Sequence, residues 1–489
     1  MNETMLDPHS APTFQKAAKT LLRDTELRAN VRRATDTIQA KRRMLVEEKA
    51  DWQQLRESAR QVRAHVLEYL HIYLEEFEHN FTRAGGHVHW ARNAAEAQQV
   101  VVALAKQAGA GEVIKIKSMT TEEIHLNGAL EAAGIHAYET DLAELIIQLG
   151  QDRPSHIVVP ALHKNRAQIR EIFRREMRLP DLGESPADLA EAARRFLRGK
   201  FLSVRTAVSG ANFLIADTGG ICIVESEGNG RMCLTLPETL ISVVGIEKVI
   251  PRFTDLEVFL QVLARSATGE RMNPYTSIWT GVTPGDGPRN MHIVLLDNSR
   301  TTVLADGEGR QTLQCIRCGA CQNACPVYRQ TGGHAYGSVY AGPIGAILTP
   351  QLMEMKHGQS LPYASSLCGA CYEVCPVKID IPEVLIHLRN KVVQQRGLYA
   401  PEALAMKAMA AVFRSERRFR AAQRLARMAQ KPLARRELAI MGQSKPAEPD
   451  PGPGWVKWLP GILGGWTTTR DLRAIPRESF REWWERNRA

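Results

Sequence analysis

The sequence predicts an α/β plus α protein. N-terminal helices lead into a domain with a mostly parallel sheet, and a cysteine-rich helical domain and a helical tail follow. Three observations carry this reading. Between residues 88 and 300, β-branched runs alternate with helix-forming runs, the pattern of βαβ units. Residues 11–80 lack interior Pro and Gly and are rich in Ala, Leu, Glu, Arg and Gln. Seven of the nine cysteines fall between residues 315 and 375.

Each element has its own signal. Apolar residues at Ile38, Leu45 and Val46, then at Val62, Val66, Leu67 and Leu70, predict two long helices packed on the next domain. AAEAQQVVVALAKQAG reads as a helix ending at a glycine, and EVIKIKS as a strand. TTEEIHLNGALEAAG reads as one helix with Thr120 or Thr121 at its N-cap. IHAYETD, AELIIQLG and HIVVPA read as strand, helix and strand. Gly219 and Gly220 in FLIADTGGICIVES predict a tight turn between two strands; MCLTLPETLISVVGIEKVI and MHIVLLD continue the domain. The expected segments are helices over 1–84, the α/β domain over 85–302, a cluster-binding domain over 303–395, a basic helical stretch over 396–444, and a linker with a Trp-rich end over 445–489. KPAEPDPGPG (445–454) is the linker, and Trp455, Trp458, Trp466, Trp483 and Trp484 follow it.

Composition narrows the function classes. No stretch reaches the length of about 18 apolar residues that a membrane span needs. The start, MNETMLDPHSAP, lacks a basic region followed by an apolar run, so a cytoplasmic protein is expected, with contact at the inner membrane face as an option. Cysteines in that compartment favour metal or redox chemistry over disulfides. The charge is uneven. Residues 391–489 hold 20 Lys and Arg against 9 Asp and Glu, a net of +11, and the preceding 390 residues stand at −1. Such a tail suits an anionic membrane surface, an acidic partner or nucleic acid, or is simply a solvated helix. Arg414, Arg417, Arg418, Arg424 and Arg427 form its basic face, with Phe413, Leu425 and Met428 as an apolar one.

The cysteines carry the chemistry. Cys315, Cys318, Cys321, Cys325 and Pro326 form the C-x₂-C-x₂-C-x₃-C-P run of bacterial ferredoxins. Fifty residues later, Cys368, Cys371, Cys375 and Pro376 repeat it, with Ser365 where the first copy has Cys315. In a two-cluster ferredoxin arrangement the fourth cysteines cross over. One 4Fe–4S cluster is then expected on Cys315, Cys318, Cys321 and Cys375, and the other on Cys325, Cys368 and Cys371. The second is one thiolate short. An oxygen ligand from Ser365, Ser366 or water fits; so does a 3Fe–4S centre, or a 4Fe–4S centre with one labile iron. Cys222 and Cys233 sit in apolar strand-like runs and read as structural. His125, His163 and His334 are weaker candidates for substrate contacts, and the glycine-rich TGGHAYGSVYAGPIGAILTP reads as a defined loop beside the clusters. No G-x-G-x-x-G follows a strand and no phosphate-binding P-loop is present, so no nicotinamide or flavin motif is seen. The chain is expected to pass electrons rather than to take them first from a substrate.

These motifs in combination resemble the L-lactate utilization protein B family. The carrying residues are KIKSMTTEEIHLN, SGANFLIADTGGICIVESEGNGRM, LPETLISVVGIEKVIP, the paired cysteine runs with GGHAYGSVYAGPIGAIL between them, LPYASSLCGACYEVCPVKIDIP, and the closing RESFREWWERNR. The resemblance runs from about residue 30 to the C-terminus and covers the serine at 365. It implies an α/β lactate-utilization domain related to sugar-isomerase and CoA-transferase folds. It implies iron–sulfur electron transfer in the oxidation of L-lactate to pyruvate. It also implies two partners, a cysteine-rich heterodisulfide-reductase-like subunit and a second lactate-utilization-domain protein. Asn212, Asp217, Glu225 and Glu227 lie on the segment most like the family and are candidates for a cleft at strand ends; turn caps are the competing role. A complex acting on another 2-hydroxy acid such as glycolate, or on a thiol or disulfide, has the same sequence signature. A nucleic-acid-binding protein with a structural cluster is the least favoured reading.

Overall fold

The computed structural model describes residues 12–353, 355–397, 400–435, 454–467 and 470–488. The opening segment and the linker at 445–453, both given roles by the sequence, lie outside these. The chain forms two compact units that meet in sequence at Val392 and Val393.

Four helices open the first unit where the sequence reads as two: α1 (Phe14–Leu21), α2 (Thr25–Glu47), α3 (Trp52–Glu68) and α4 (Leu70–Arg83). Local chemistry sets the breaks. The Asp24 carboxylate accepts the Leu27 N–H at 2.9 Å and starts α2. Tyr69, at φ −114° and ψ 31°, parts α3 from α4. Val31, Trp52 and Ala59 share a core with Tyr328, Tyr336 and Ile344 of the cysteine-bearing segment. Leu70, Leu74, Phe77 and Phe81 pack into the core of the α/β domain instead. The N-terminal helices thus serve both parts of this unit.

The main sheet has six strands: β1 (His87–Ala91), β2 (Glu112–Lys115), β3 (His136–Glu139), β4 (Thr206–Ser209), β7 (Thr239–Gly245) and β10 (Asn290–Leu296). Their order is β1-β10-β7-β4-β2-β3, and every pairing is parallel. β7 is buried at every residue, as a central parallel strand covered on both faces must be. A second, mixed sheet joins β5 (Phe213–Ile215), β6 (Gly220–Glu225), β8 (Val249–Ile250) and β9 (Tyr275–Trp279) in the order β8-β5-β6-β9. The expected turn between β5 and β6 is there. Gly219 turns it at φ +66°, and a Cβ there would come within 2.5 Å of the Phe81 backbone nitrogen.

Several sequence expectations give way. HIVVPA is not a strand. Val158 and Val159 give their N–H groups to His156 Nδ1 at 3.0 Å each, and Ile157 gives its own to Gln322 Oε1 at 3.1 Å. Side chains take the donors that a ladder would need. The helix over TTEEIHLNGALEAAG is broken at His125, which adopts φ +49° between Met119–Glu123 and Leu126–Ala132. Its N-cap is Ser118 rather than Thr120 or Thr121, with Oγ accepting the Thr121 N–H at 3.4 Å. Cys233 lies on the helix Asn229–Thr235, not on a strand, whereas Cys222 is on β6. The glycine-rich stretch between the cysteine runs is half helix, Gly342–Leu352, with Tyr336 and Tyr340 buried beside it.

The second unit holds the helices Pro401–Phe413 and Glu416–Ala429, three two-residue strands, and Phe480–Asn487. Ser479 and Glu482 form a capping box on the last helix. Arg427 pairs with Glu482 at 2.8 Å. Arg414, Arg417, Arg418, Arg424, the five C-terminal tryptophans and the apolar Phe413, Leu425 and Met428 are exposed within this unit.

Candidate iron–sulfur site and the adjoining cavity

The two cysteine runs fold alike. In each, the residue before the second cysteine position and the glycine after it take left-handed backbone: Arg317 at φ +61° and Gly319 at +74°, Leu367 at +55° and Gly369 at +82°. A short helix follows in both, Ala320–Ala324 and Ala370–Val374. This turn directs successive side chains inward. Cys315, Cys318, Cys321 and, from the other copy, Cys375 line one small pocket closed by Ile316, Ile344, Val377 and Ile379. Cys325, Cys368 and Cys371 lie near one another: Cys368 adds to the burial that raises the Cys325 thiol, and Cys325 and Cys368 add to the burial that raises Cys371.

This donor set fits an iron–sulfur cluster. Backbone N–H groups point at sulfur: Arg317 to Cys315 at 3.4 Å, Tyr328 to Cys325 at 3.5 Å, and Ile379 to Cys375 at 3.4 Å. Burial pushes the Cys375 thiol up to about 11, and burial with the nearby Cys325 pushes Cys371 up to about 12. Such thiols are held as thiolates when iron takes the proton's place. Spacing argues against a single zinc ion. A tetrahedral zinc with bonds of about 2.3 Å holds its sulfurs within about 4 Å of one another. Among the described residues no three cysteine sulfurs come within 4.8 Å; the trio that does is Asp152, His163 and His334.

Around Cys315, Cys318 and Cys375 stand four arginines that the sequence reading passed over. Arg56 Nε donates to the Cys375 carbonyl at 2.9 Å and Nη2 to that of Tyr372 at 3.1 Å. Arg63, fully buried, donates to the carbonyls of Glu247, Val249 (3.0 Å), Leu313 (2.8 Å) and Gln314 (3.3 Å). Arg42 donates to Val374 at 3.1 Å, and Arg317 belongs to the cysteine loop itself. Arg317 Nη2 also lies 3.3 Å from Glu247, which Arg300 meets at 2.6 Å. Burial alone would raise Glu247, but these two guanidiniums hold it at about 2. Arg300 reaches Glu123 at 2.9 Å, and Tyr340 donates to the same carboxylate at 2.6 Å. A buried network therefore joins the α/β domain to the cysteine segment. The signal available in the sequence was Arg317, a cation between two cysteines of the run.

Ser365 is half-buried and Ser366 exposed, and Cys368 is exposed as well. Ser365 occupies the turn position of Cys315 in the second copy. Its carbonyl accepts Arg389 Nη2 at 3.2 Å.

A cavity of about 340 Å³ opens beyond the carboxyl ends of β2, β3, β4 and β7. β3 and β4 flank β2 on opposite sides, so the crossovers diverge there, where open α/β sheets place ligands. Asn212, Glu225 and Glu227 line it, as do Lys117, Asp141, Lys248 and Arg317. Asp217 is elsewhere; its carboxylate accepts the Phe253 N–H at 3.1 Å. The lining carboxylates hold backbone. Glu225 accepts the N–H groups of Gly230 and Arg231 at 2.7 Å each, Glu227 that of Leu142 at 2.9 Å, and Asp141 that of Lys117 at 2.7 Å. Burial, which the adjacent Arg317 reinforces, lowers Lys248 to about 7. His125 is exposed, and His163 and His334 lie with Asp152 rather than on this cavity. His163 bonds Ser155 Oγ at 2.7 Å and Asp152 at 3.1 Å, and His334 meets the Arg153 carbonyl at 2.9 Å.

Comparison with known proteins matches three domain families in turn: the LUD domain over residues 74–296, a 4Fe-4S dicluster domain over 311–379, and a lactate utilisation protein B C-terminal domain over 388–489. Lactate utilization protein B 1 of Bacillus mycoides is 41% identical over 478 residues, 97% of this chain and 96% of that one. The chain belongs to the lactate utilization protein B family. Lactate utilization protein B of Bacillus licheniformis is 42% identical, covering 94% of both chains. That of Bacillus subtilis is 41% identical, covering 94% of this chain and 92% of its own. A crystal structure of a DUF162 family protein from Deinococcus radiodurans aligns with 46% of this chain and 98% of its own, at 13% identity and a TM-score of 0.26, and carries no argument here. With the dicluster match on the paired cysteine runs, this family member is an iron–sulfur protein. No described helix is long and apolar enough to cross a membrane.

Proposed function

We propose that the chain is an iron–sulfur electron-transfer subunit acting in the oxidation of L-lactate to pyruvate. The gathering of Cys315, Cys318 and Cys321 with Cys375 from the second copy carries this reading. Two clusters are proposed, one on those four residues and one on Cys325, Cys368 and Cys371, whose remaining corner is held by Ser365, Ser366 or water, or carries a labile or missing iron. Bound there, the clusters supply one-electron transfer. The chain's part is to hold the thiolates, aim N–H groups at them and set cations beside the first. The curated relatives are named for lactate utilization, which supports the choice of substrate.

Lactate gives up two electrons with a hydride's worth of charge, and that first acceptance belongs to a partner subunit. The proposed partners are a cysteine-rich heterodisulfide-reductase-like protein and a second lactate-utilization-domain protein. The site of action is the cytoplasm, with the basic, Trp-bearing tail against a partner or the membrane's inner face. The test has two parts. A deletion strain is grown on L-lactate or on glycolate as sole carbon source, and loss of growth on lactate alone is expected. Pure chain mixed with L-lactate stays oxidised, and is reduced once extract holding the partners is added. Lactate turnover by the isolated chain, or normal growth of the deletion strain on lactate, overturns the reading.

A further inference from the structure

We propose that the cavity at the ends of β2, β3, β4 and β7 binds a small organic carboxylate of the 2-hydroxy or 2-oxo acid class, held by Lys248 and Arg317. The choice of class rests on the function proposed above; the choice of an anion does not.

The argument is one of unspent donors. Every carboxylate identified on the cavity wall is engaged by backbone N–H groups: Asp141, Glu225 and Glu227 each cap a turn or helix start. Lys117 meets Glu144 at 3.0 Å. Lys248 is different. Lys248 is 8% exposed and lines the cavity, and among the described residues its ammonium has no hydrogen bond or ion pair. Arg317 lines it too; its side chain is 9% exposed, its Nη2 meets Glu247 at 3.3 Å, and its buried Nη1 has no partner among the described residues. Glu247 already meets Arg317, so the open position is the Lys248 ammonium, over nine-tenths buried, whose unspent N–H donors are costly unless an anion meets them. The guanidinium fork suits a carboxylate, and the ammonium adds a second point of charge. A volume of about 340 Å³ holds a three-carbon acid with bridging water, or a larger acid of the same class.

The position gives the site a consequence. Arg317 donates its backbone N–H to Cys315 at 3.4 Å, so the same residue touches a cluster ligand and the cavity. An anion seated on its guanidinium neutralises charge next to that cluster. Occupancy is therefore expected to shift the potential of the cluster on Cys315 downward.

The experiment uses the full chain, purified without oxygen and loaded with iron and sulfide. Calorimetry measures pyruvate, L-lactate and inorganic phosphate separately, and potentiometric electron paramagnetic resonance is run with and without pyruvate. The two carboxylates are expected to bind at one site per chain, more tightly than phosphate. Pyruvate is expected to move the potential of one cluster downward. Arg317→Gln and Lys248→Met are each expected to weaken binding by about tenfold or more, the value of one charge-assisted contact. Both variants are checked for full iron content. Lys248 lies outside the cysteine loop, so Lys248→Met stands alone if Arg317→Gln loses iron. No binding of either carboxylate, tighter binding of phosphate, or unchanged affinity in Lys248→Met overturns the proposal. Cluster reduction by L-lactate with partner extract is measured on the same preparation. Reduction without carboxylate binding removes this inference and leaves the proposed function; binding without reduction does the reverse.

Discussion

The hydroxyl oxygen of Ser365 accepts the backbone N–H of Leu367 at 3.1 Å, the bond that Cys315 Sγ accepts from Arg317 at 3.4 Å in the first copy. The serine keeps the turn that Cys315 makes, while offering oxygen in place of sulfur. Ser365→Cys is therefore expected to supply a fourth thiolate without disturbing the loop. After mild oxidation the variant should show a weaker 3Fe–4S resonance than the natural chain. An undiminished signal would mean that the corner is held by Ser366 or water.

Cys375 follows Cys371 in sequence but shares its pocket with Cys315, Cys318 and Cys321. Cys375→Ala is expected to give the spectrum of Cys315→Ala, and Cys325→Ala that of Cys371→Ala. Each substitution should remove about half of the bound iron if two like clusters are present. Pairing by sequence neighbourhood, with Cys375→Ala matching Cys371→Ala, would refute the crossed assignment.

Arg63 joins the α/β domain to the cysteine segment through carbonyl groups on each side. Arg63→Met leaves those acceptors buried and unpaired. The loss is expected to be about 3 kcal/mol or more, since single unmet buried polar groups cost about 1–3 kcal/mol each. Arg63→Lys should rescue little, because an ammonium lacks the planar fork. Denaturant midpoints and iron retention measure both.

His156 is 3% exposed, accepts two N–H groups at Nδ1 and meets Asn323 Oδ1 through Nε2 at 3.1 Å. Its neutral form is the one the fold holds, and burial with the charge of Lys117 pushes it down to about 3. The folded value lies below the unfolded one of 6.5. Its contribution is therefore complete above pH 6.5 and lost as pH falls toward 3. Each unit below the upper limit costs about 1.4 kcal/mol. Urea midpoints at pH 7.5, 6.5 and 5.5 should show stability flat over the first interval and falling over the second, and the second fall should shrink in His156→Gln.

The sequence was most legible where chemistry is written locally. The cysteine spacing, the Gly219 turn and the run that becomes β7 needed no distant partner to be read. HIVVPA failed because its backbone donors are taken by His156 and by Gln322, which lies 165 residues away from Ile157. The single helix expected at 120–134 failed because His125 carries a left-handed backbone that no composition signals. Asn212, Glu225 and Glu227 were found on the cavity, yet their hydrogen bonds go to backbone, and the ammonium left unpaired among the described residues is that of Lys248. Arg63 meets Gln314 across 251 residues, and only the folded chain brings them together.

The shared pocket of Cys321 and Cys375 also bears on how the protein is made. The two cysteines are 54 positions apart, and the second comes after the whole Gly342–Leu352 helix. On a translating ribosome the first three sulfurs emerge well before the fourth. A cofactor delivered early would find an open, incomplete cage, and one delivered late would find both cages complete together. Under the crossed assignment proposed above, loading is tied to the end of this segment's synthesis, and a chain cut between the two cysteine runs could finish neither cluster.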